Sequence, residues 1–362
     1  MHGRDMLSVM GETLQSRFSP KANGLNLIRL ALAISVILWH SFPITGRDVD
    51  SPFLAQLMGK VGVDGFFAIS GYLIYSSWDR NPNVKSFLWA RVLRIYPAFL
   101  VCLIVTAFVL APIGLILQGS DPGAIFARSE AFKYIGSNIF LWPLGATLPG
   151  TPTDVPLPNV WNGSLWTLSW EFLCYLALLG LGLTKALNIR WLPLVLFIAV
   201  AVVTGTVAVM KIDVWVLTNG LRFSLMFLAG MVIYRYRNSL PVSPLFVGGT
   251  VVVTLLAMLL PDYRIVAAIP LAYALVGAAT YIRAPRLQLH TDISYGMYIY
   301  GFPVQQVLAL AGLIFLPVGI FWLLATAITA VLAFGSWMLI ERKALKMKRR
   351  TLPIAPSFSA SG

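Results

Sequence analysis

The sequence predicts an all-α integral membrane protein, a bundle of about ten transmembrane helices. Three observations carry that reading. Apolar runs near twenty residues recur along the 362-residue chain, which is 58% hydrophobic and only 11% charged. Backbone groups have no water to pair with in lipid, so runs of this length must be helical. Lys and Arg also alternate from one connection to the next, as the orientation rule for membrane helices requires. No soluble domain of any size fits between the runs.

The ten spans fall at about 25–43, 61–78, 93–117, 165–183, 191–210, 217–234, 244–260, 265–282, 292–312 and 316–339. Some are long enough to cross only with tilt or local thinning. With the N-terminus in the cytoplasm, the inner segments carry 20 of the 27 Lys and Arg. Examples are Arg17, Arg80, Lys85, Arg190, Arg237, Arg283, Arg286 and the cluster from Arg342 to Arg350. The outer segments hold six, Arg47, Lys60, Arg128, Lys133, Lys211 and Arg264, and Arg222 lies within a span. Adding or dropping one helix scrambles this alternation, so both termini are expected inside. The net charge of +13 follows this pattern and does not imply nucleic acid.

Residues 1–22 are polar, lack the apolar core of a cleaved signal peptide, and read as a cytoplasmic tail. Residues 343–362 read as a basic, partly disordered tail. Cys102 and Cys174 lie in apolar runs and read as small core residues. The three histidines, His2, His40 and His290, show no metal-ligand spacing. One connection, Gln118–Ser164, is unusually long and lies outside. Its apolar patch at 139–148 is too short and proline-rich to span, and reads as re-entrant or interfacial. The Pro/Gly run at 148–159 reads as irregular loop. A long loop of this kind either covers a site or is a solvated linker.

Polar groups inside spans mark the candidate site, because each costs several kcal/mol against lipid. Arg29 and His40 are eleven positions apart on the first span. That places them within about 20° of one face and roughly 16 Å apart along the axis. Near the outer end the topology collects His40, Asp64 in Gly62-Val63-Asp64-Gly65, Glu171 in Ser169-Trp170-Glu171, and Arg222. These four face one another or a polar cavity, or else form a structural ion-pair network. At the inner face lie Arg29, Arg91 and Arg94, with Ser294, Tyr295 and Tyr298 opening the ninth span. Arg91 and Arg94 are three apart on one helix face, a spacing suited to gripping phosphate. Inner-face arginines also follow from orientation alone. The Arg29–His40 separation is comparable to an extended pantetheine arm, so a nucleotide-linked donor held at the arginines would reach the histidine.

These residues carry a resemblance to membrane acyltransferase family three, bacterial integral-membrane enzymes that O-acylate glycans. It covers about residues 24–342. The matching stretches are 23–40, with Arg29 and His40; 62–74, with Asp64; 87–97, with Arg91 and Arg94; 164–175, with Trp166 and Glu171; 222–230, with Arg222; and 293–303, with Ser294 and Tyr295. Two features depart from the family pattern. Gly301 stands where a histidine often precedes the Phe-Pro of the ninth helix, and the last helix ends Glu341-Arg342-Lys343 where Glu-Arg-Pro is common. His40 is then the sole histidine available as a base within the spans.

The resemblance implies a transmembrane acyltransferase domain over 23–342 in the bacterial inner membrane. The expected reaction moves an acetyl or other short acyl group from acyl-CoA to a sugar hydroxyl. Acetyl-CoA or another acyl-CoA would be a co-substrate, with no permanently bound cofactor and no metal. Implied partners are the lipid bilayer, an exopolysaccharide, lipopolysaccharide or lipid-linked glycan acceptor, and polysaccharide assembly proteins. On this reading His40 is the base, Asp64 or Glu171 orients it, and Arg29, Arg91 and Arg94 hold CoA phosphates. Arg222 stabilises the oxyanion or pairs with Glu171; Trp166, Ser294 and Tyr295 have substrate or structural roles. A transporter or flippase for a sugar or charged substrate explains the polar cluster equally well. It does not explain the Arg29–His40 stripe, and no internal repeat of the kind many transporters carry is visible. A structural partner in an assembly complex would need no polar cluster at all.

Overall fold

The computed structural model describes residues 12–20, 22–127, 129–141, 147–282, 289 and 291–350. Arg128, Arg283, Arg286, His290, residues 1–11 and 351–362 of the two tails, and residues 142–146 of the loop patch therefore lie outside the described residues. Ten helices occupy the ten expected places. They are α1 (Leu25–Ile44), α2 (Val61–Arg80), α3 (Val84–Leu117), α4 (Trp166–Leu183) and α5 (Leu192–Val209). The second half comprises α6 (Trp215–Tyr236), α7 (Pro244–Ala257), α8 (Arg264–Tyr281), α9 (Ser294–Leu310) and α10 (Val318–Met347). Among the described residues, seven helices are long and apolar enough to cross a membrane, and α2 with its lead-in Pro52–Gly59 makes an eighth, bent by 42°. Helices α7 and α9 are shorter, with 14 and 17 residues.

Local chemistry sets the helix starts. Asn83 caps α3, its side chain accepting the Ser86 N–H at 2.9 Å, as short polar side chains do at helix N-termini. This places Lys85, Arg91 and Arg94 inside the helix, nine residues earlier than the apolar pattern alone suggests. A π turn at Thr106–Leu110 carries α3 on to Leu117. Ser51 and Ser243 cap the Pro52–Gly59 helix and α7, each with proline in the first turn.

Helix α9 is the buried axis, with fifteen of its seventeen residues buried. A helix apolar on all sides belongs at the centre of a bundle. The amide nitrogens of its polar pair are satisfied, while their Oε1 atoms bond no described residue. Gln305 donates to the Ile37 carbonyl at 2.8 Å and the Ser41 hydroxyl at 2.7 Å, and Gln306 to the carbonyls of Leu157 and Val160. Gly301 faces α1 so closely that a Cβ would lie 2.8 Å from Ile37 Cγ1. Any larger side chain there would have to displace the Ile37 side chain.

Helices α2 and α6 touch backbone to backbone. A Cβ on Gly71 would fall 1.9 Å from the Phe227 carbonyl oxygen, and one on Gly230 2.0 Å from that of Ala68. Small residues permit such approaches between membrane helices, and this one fixes the register that joins Asp64 to Arg222. Val195, Ile198, Val202 and Val209 of α5, and Val252 and Leu256 of α7, are exposed apolar side chains of peripheral helices. They suit a lipid-facing surface.

Candidate active site

Helix α1 carries Arg29 toward one end of the bundle, here the arginine end, and His40 toward the other. His40 Nδ1 lies 2.9 Å from the Val36 carbonyl oxygen, one turn back on the same helix. A carbonyl only accepts, so Nδ1 carries the proton; in the neutral ring Nε2 is then the basic nitrogen. The ring meets Phe302 of α9 edge-on at 5.2 Å. Among the described residues, neither Asp64 nor Glu171 hydrogen-bonds this ring. The orienting role expected of a carboxylate is taken by the backbone of Val36.

Asp64 is engaged elsewhere. Its fully buried carboxylate accepts from Arg222 Nε at 2.8 Å, Arg264 Nε at 2.6 Å and the Tyr263 hydroxyl at 2.6 Å. Arg222 therefore pairs with Asp64, not with Glu171. Arg264, read from the sequence as a connecting-loop cation, is buried inside this cluster.

Three chambers lie between the two ends. The first is lined by Arg29, Arg91, Arg94, Glu171, Tyr175 and Tyr295, among others. The second shares Arg29, Phe66, Glu171 and Tyr295 with the first and adds Val63, Thr167 and Tyr298. The third shares Val63, Thr167 and Tyr298 with the second and is walled by His40, Trp166 and Arg222. The arginine cluster and the histidine thus border one series of cavities. Trp166 packs its ring on Trp215 and Phe223 beside the third chamber.

Glu171 sits with the arginines, not with His40. It accepts from Ser70 Oγ at 3.1 Å and from the Tyr175 hydroxyl. Ser70 of α2 and Tyr175, one turn further along α4, hold it on the wall of the first chamber.

The arginines are held by a residue that sequence reasoning passed over. Asp292 Oδ2 lies 2.5 Å from Arg29 Nη1 and 2.6 Å from Arg94 Nη2. Its Oδ1 accepts the Ser294 hydroxyl at 2.5 Å and backbone N–H at 3.3 Å. Ser294 thus positions Asp292. Burial alone would push this carboxyl up; the charges of Arg29 and Arg94 and the Ser294 hydroxyl outweigh that and hold it well below the usual carboxylate range. The available signal was an acidic residue two positions before a serine at a helix start, a local capping pattern. Tyr295 donates to the Ile95 carbonyl at 3.0 Å, tying α9 to α3.

Arg91 differs from its neighbours. It is buried, and its Nε and Nη2 have no hydrogen-bond partner among the described residues. Its guanidinium lies over the rings of Phe87, at 4.6 Å, and Tyr175, at 5.8 Å. Buried guanidinium donors without partners are costly, and these border the first chamber.

The long loop is packed against the bundle. Trp161 is fully buried and donates to the Thr151 carbonyl at 3.0 Å. Asn162, in an Asn-Gly-Ser glycosylation sequon, is buried and bonds Thr106 and Tyr134. Gly163 and Ser164 line the His40 chamber. A Cβ on Gly163 would lie 2.4 Å from the Phe302 ring that faces His40.

Residues 22–341 match a family described as an acyltransferase domain, acyltransferase 3. Curated relatives span nearly the whole chain. An "O-acetyl transferase" of Shigella phage Sf6 is 31% identical over 341 residues, covering 90% of this chain and 96% of the relative. "Nodulation protein 10" of Rhizobium leguminosarum bv. viciae is 28% identical, covering 90% and 94%. "Exopolysaccharide production protein ExoZ" of Rhizobium meliloti is 28% identical, covering 86% and 96%. No solved structure matches the chain. With a match across nearly its whole length, this multi-pass membrane protein belongs to the acyltransferase 3 family.

Proposed function

We propose that the protein moves an acetyl or other short acyl group from acyl-CoA to a sugar hydroxyl of an exopolysaccharide, lipopolysaccharide or lipid-linked glycan precursor. The observation that carries this reading is the series of chambers joining Arg29, Arg91 and Arg94 to His40. The names of the relatives, an O-acetyl transferase and an exopolysaccharide production protein, support the acyl group and the acceptor class. The excess of Lys and Arg at the arginine end supports placing that end, and both termini, in the cytoplasm of a bacterium. The donor would enter there from the inner-membrane face.

The chemistry follows from the residues. Arg91 offers unpartnered buried N–H groups to phosphate oxygens, and Arg29 and Arg94, fixed by Asp292, add charge without being free to swing away. The acyl-bearing arm extends through the second chamber. At the third, neutral His40 uses Nε2 to take the proton of the sugar hydroxyl as its oxygen bonds to the thioester carbonyl carbon. The C–S bond then breaks. The departing thiolate recovers the proton from the imidazolium, leaving free CoA and the sugar ester. Arg222, with Nε committed to Asp64, has its terminal nitrogens to stabilise the oxyanion.

The test is transfer with purified protein, radiolabelled acetyl-CoA and an envelope glycan fraction. Labelled glycan with an equal release of CoA supports the proposal. Movement of glycan across vesicle membranes without acyl transfer would favour the transporter reading.

A further inference from the structure

A series of polar chambers inside a bilayer raises a problem separate from catalysis. Arg29 and Arg94 each keep 19% of their side-chain surface accessible on one side, and Arg222 keeps 18% on the other. Between them lies a buried band, Ser164 at 3%, Thr167 at 4% and Tyr298 at 8%. Thr167 Oγ1 and the Tyr298 hydroxyl are 2.5 Å apart. Both also reach the Ser164 carbonyl oxygen, at 3.1 Å each, and the Ser164 hydroxyl donates to the Tyr298 carbonyl at 3.2 Å. Thr167 and Tyr298 line both the second and the third chamber, so this tie between α4 and α9 stands at their junction. Phe66 backs it, edge-on to Tyr298 at 5.7 Å.

We infer that the Thr167–Tyr298 tie is a seal, which stops the arginine-lined chambers from joining into an anion-conducting water path across the bilayer. Arginines flank the junction on both sides, and pores lined by cationic side chains favour anions. The tie is also suited to opening. Thr167 and Tyr298 have one hydroxyl proton each, yet they share three contacts between themselves and the Ser164 carbonyl. One contact is always without a proton, so parting the pair breaks few full hydrogen bonds. The closed tie needs no acyl donor to form.

The test reconstitutes the full chain in phosphatidylcholine vesicles loaded with a chloride-sensitive dye. Wild type should hold a chloride gradient as tightly as empty vesicles. Tyr298→Ala should leak chloride about tenfold faster, and chloride faster than potassium. Tyr298→Phe and Thr167→Val each delete one hydroxyl at nearly constant volume and should leak about threefold faster, while Thr167→Ser, which keeps the hydroxyl, should stay tight. If Tyr298→Ala does not fold, the two isosteric variants carry the test. Isosteric variants that melt like wild type and remain equally tight overturn the inference, as does a leaky wild type. No acyl donor enters the assay, so its failure is distinct from failure of the acyl-transfer proposal.

Discussion

Arg29 of α1 and Arg94 of α3 hold the same carboxylate oxygen, Asp292 Oδ2, at 2.5 and 2.6 Å. One acidic residue just before α9 therefore fixes two cations from two other helices at the mouth of the first chamber.

Asp292→Asn should destabilise the protein by about 3 kcal/mol, because it leaves two close guanidinium groups without their shared counter-charge. The pH dependence has a definite sign. The folded carboxyl is held below its unfolded value of about 3.9, so its contribution is complete above that value and is lost as pH falls toward the folded one. The difference in thermal stability between wild type and Asp292→Asn should be flat from about pH 8 to pH 5 and narrow only below about pH 4. Melting curves in detergent across that range measure it; a difference that fades already near neutral pH would contradict the pairing.

Arg91→Ala should act on donor use more than on folding, since the Arg91 Nε and Nη2 atoms bond no described residue. The KM for acetyl-CoA should rise about tenfold or more with a smaller change in kcat, consistent with loss of a charge-assisted contact. Arg91→Lys should recover only part, lacking the planar fork. Steady-state kinetics with acetyl-CoA varied is the check.

Asp64→Ala should be among the most damaging substitutions for folding, by about 3–5 kcal/mol, because it removes the fully buried counter-charge of Arg222 and leaves Arg264 with Asp262 alone. The expected readout is loss of monodisperse protein on size exclusion and a lower melting temperature.

Gly71→Ala and Gly230→Ala should each force α2 and α6 apart, since the added methyl would overlap a backbone carbonyl oxygen. Overpacking of this kind costs about 1–3 kcal/mol or more. Both variants should melt lower than wild type, whereas Gly248→Ala on α7, with open space around it, should melt unchanged.

The number and order of the helices were legible because lipid imposes length and apolarity on each span, and Lys and Arg mark alternate connections. Arg29, His40, Arg91 and Arg94 stood out for the same reason, as charged or basic groups where apolar ones are expected. Their partners were harder to see. Asp292 lies beside the masking signal of a helix start, and Arg264 beside a loop, so nothing in spacing separates them from ordinary connections. Glu171 groups with His40 when turns are counted from one helix end; its hydrogen bonds to Ser70 and Tyr175 place it on the arginine chamber instead, and neither partner shows in spacing. The orientation of His40 by Val36 involves a backbone carbonyl, which a search for carboxylate partners does not find.

The most direct measurement compares wild type with His40→Ala in acetyl transfer from radiolabelled acetyl-CoA to envelope glycan. The two proteins should melt alike, and the variant should lose about 10²-fold or more of the transfer rate, as expected on removing a general base. Transfer at the wild-type rate by folded His40→Ala would contradict a role for His40 in the reaction.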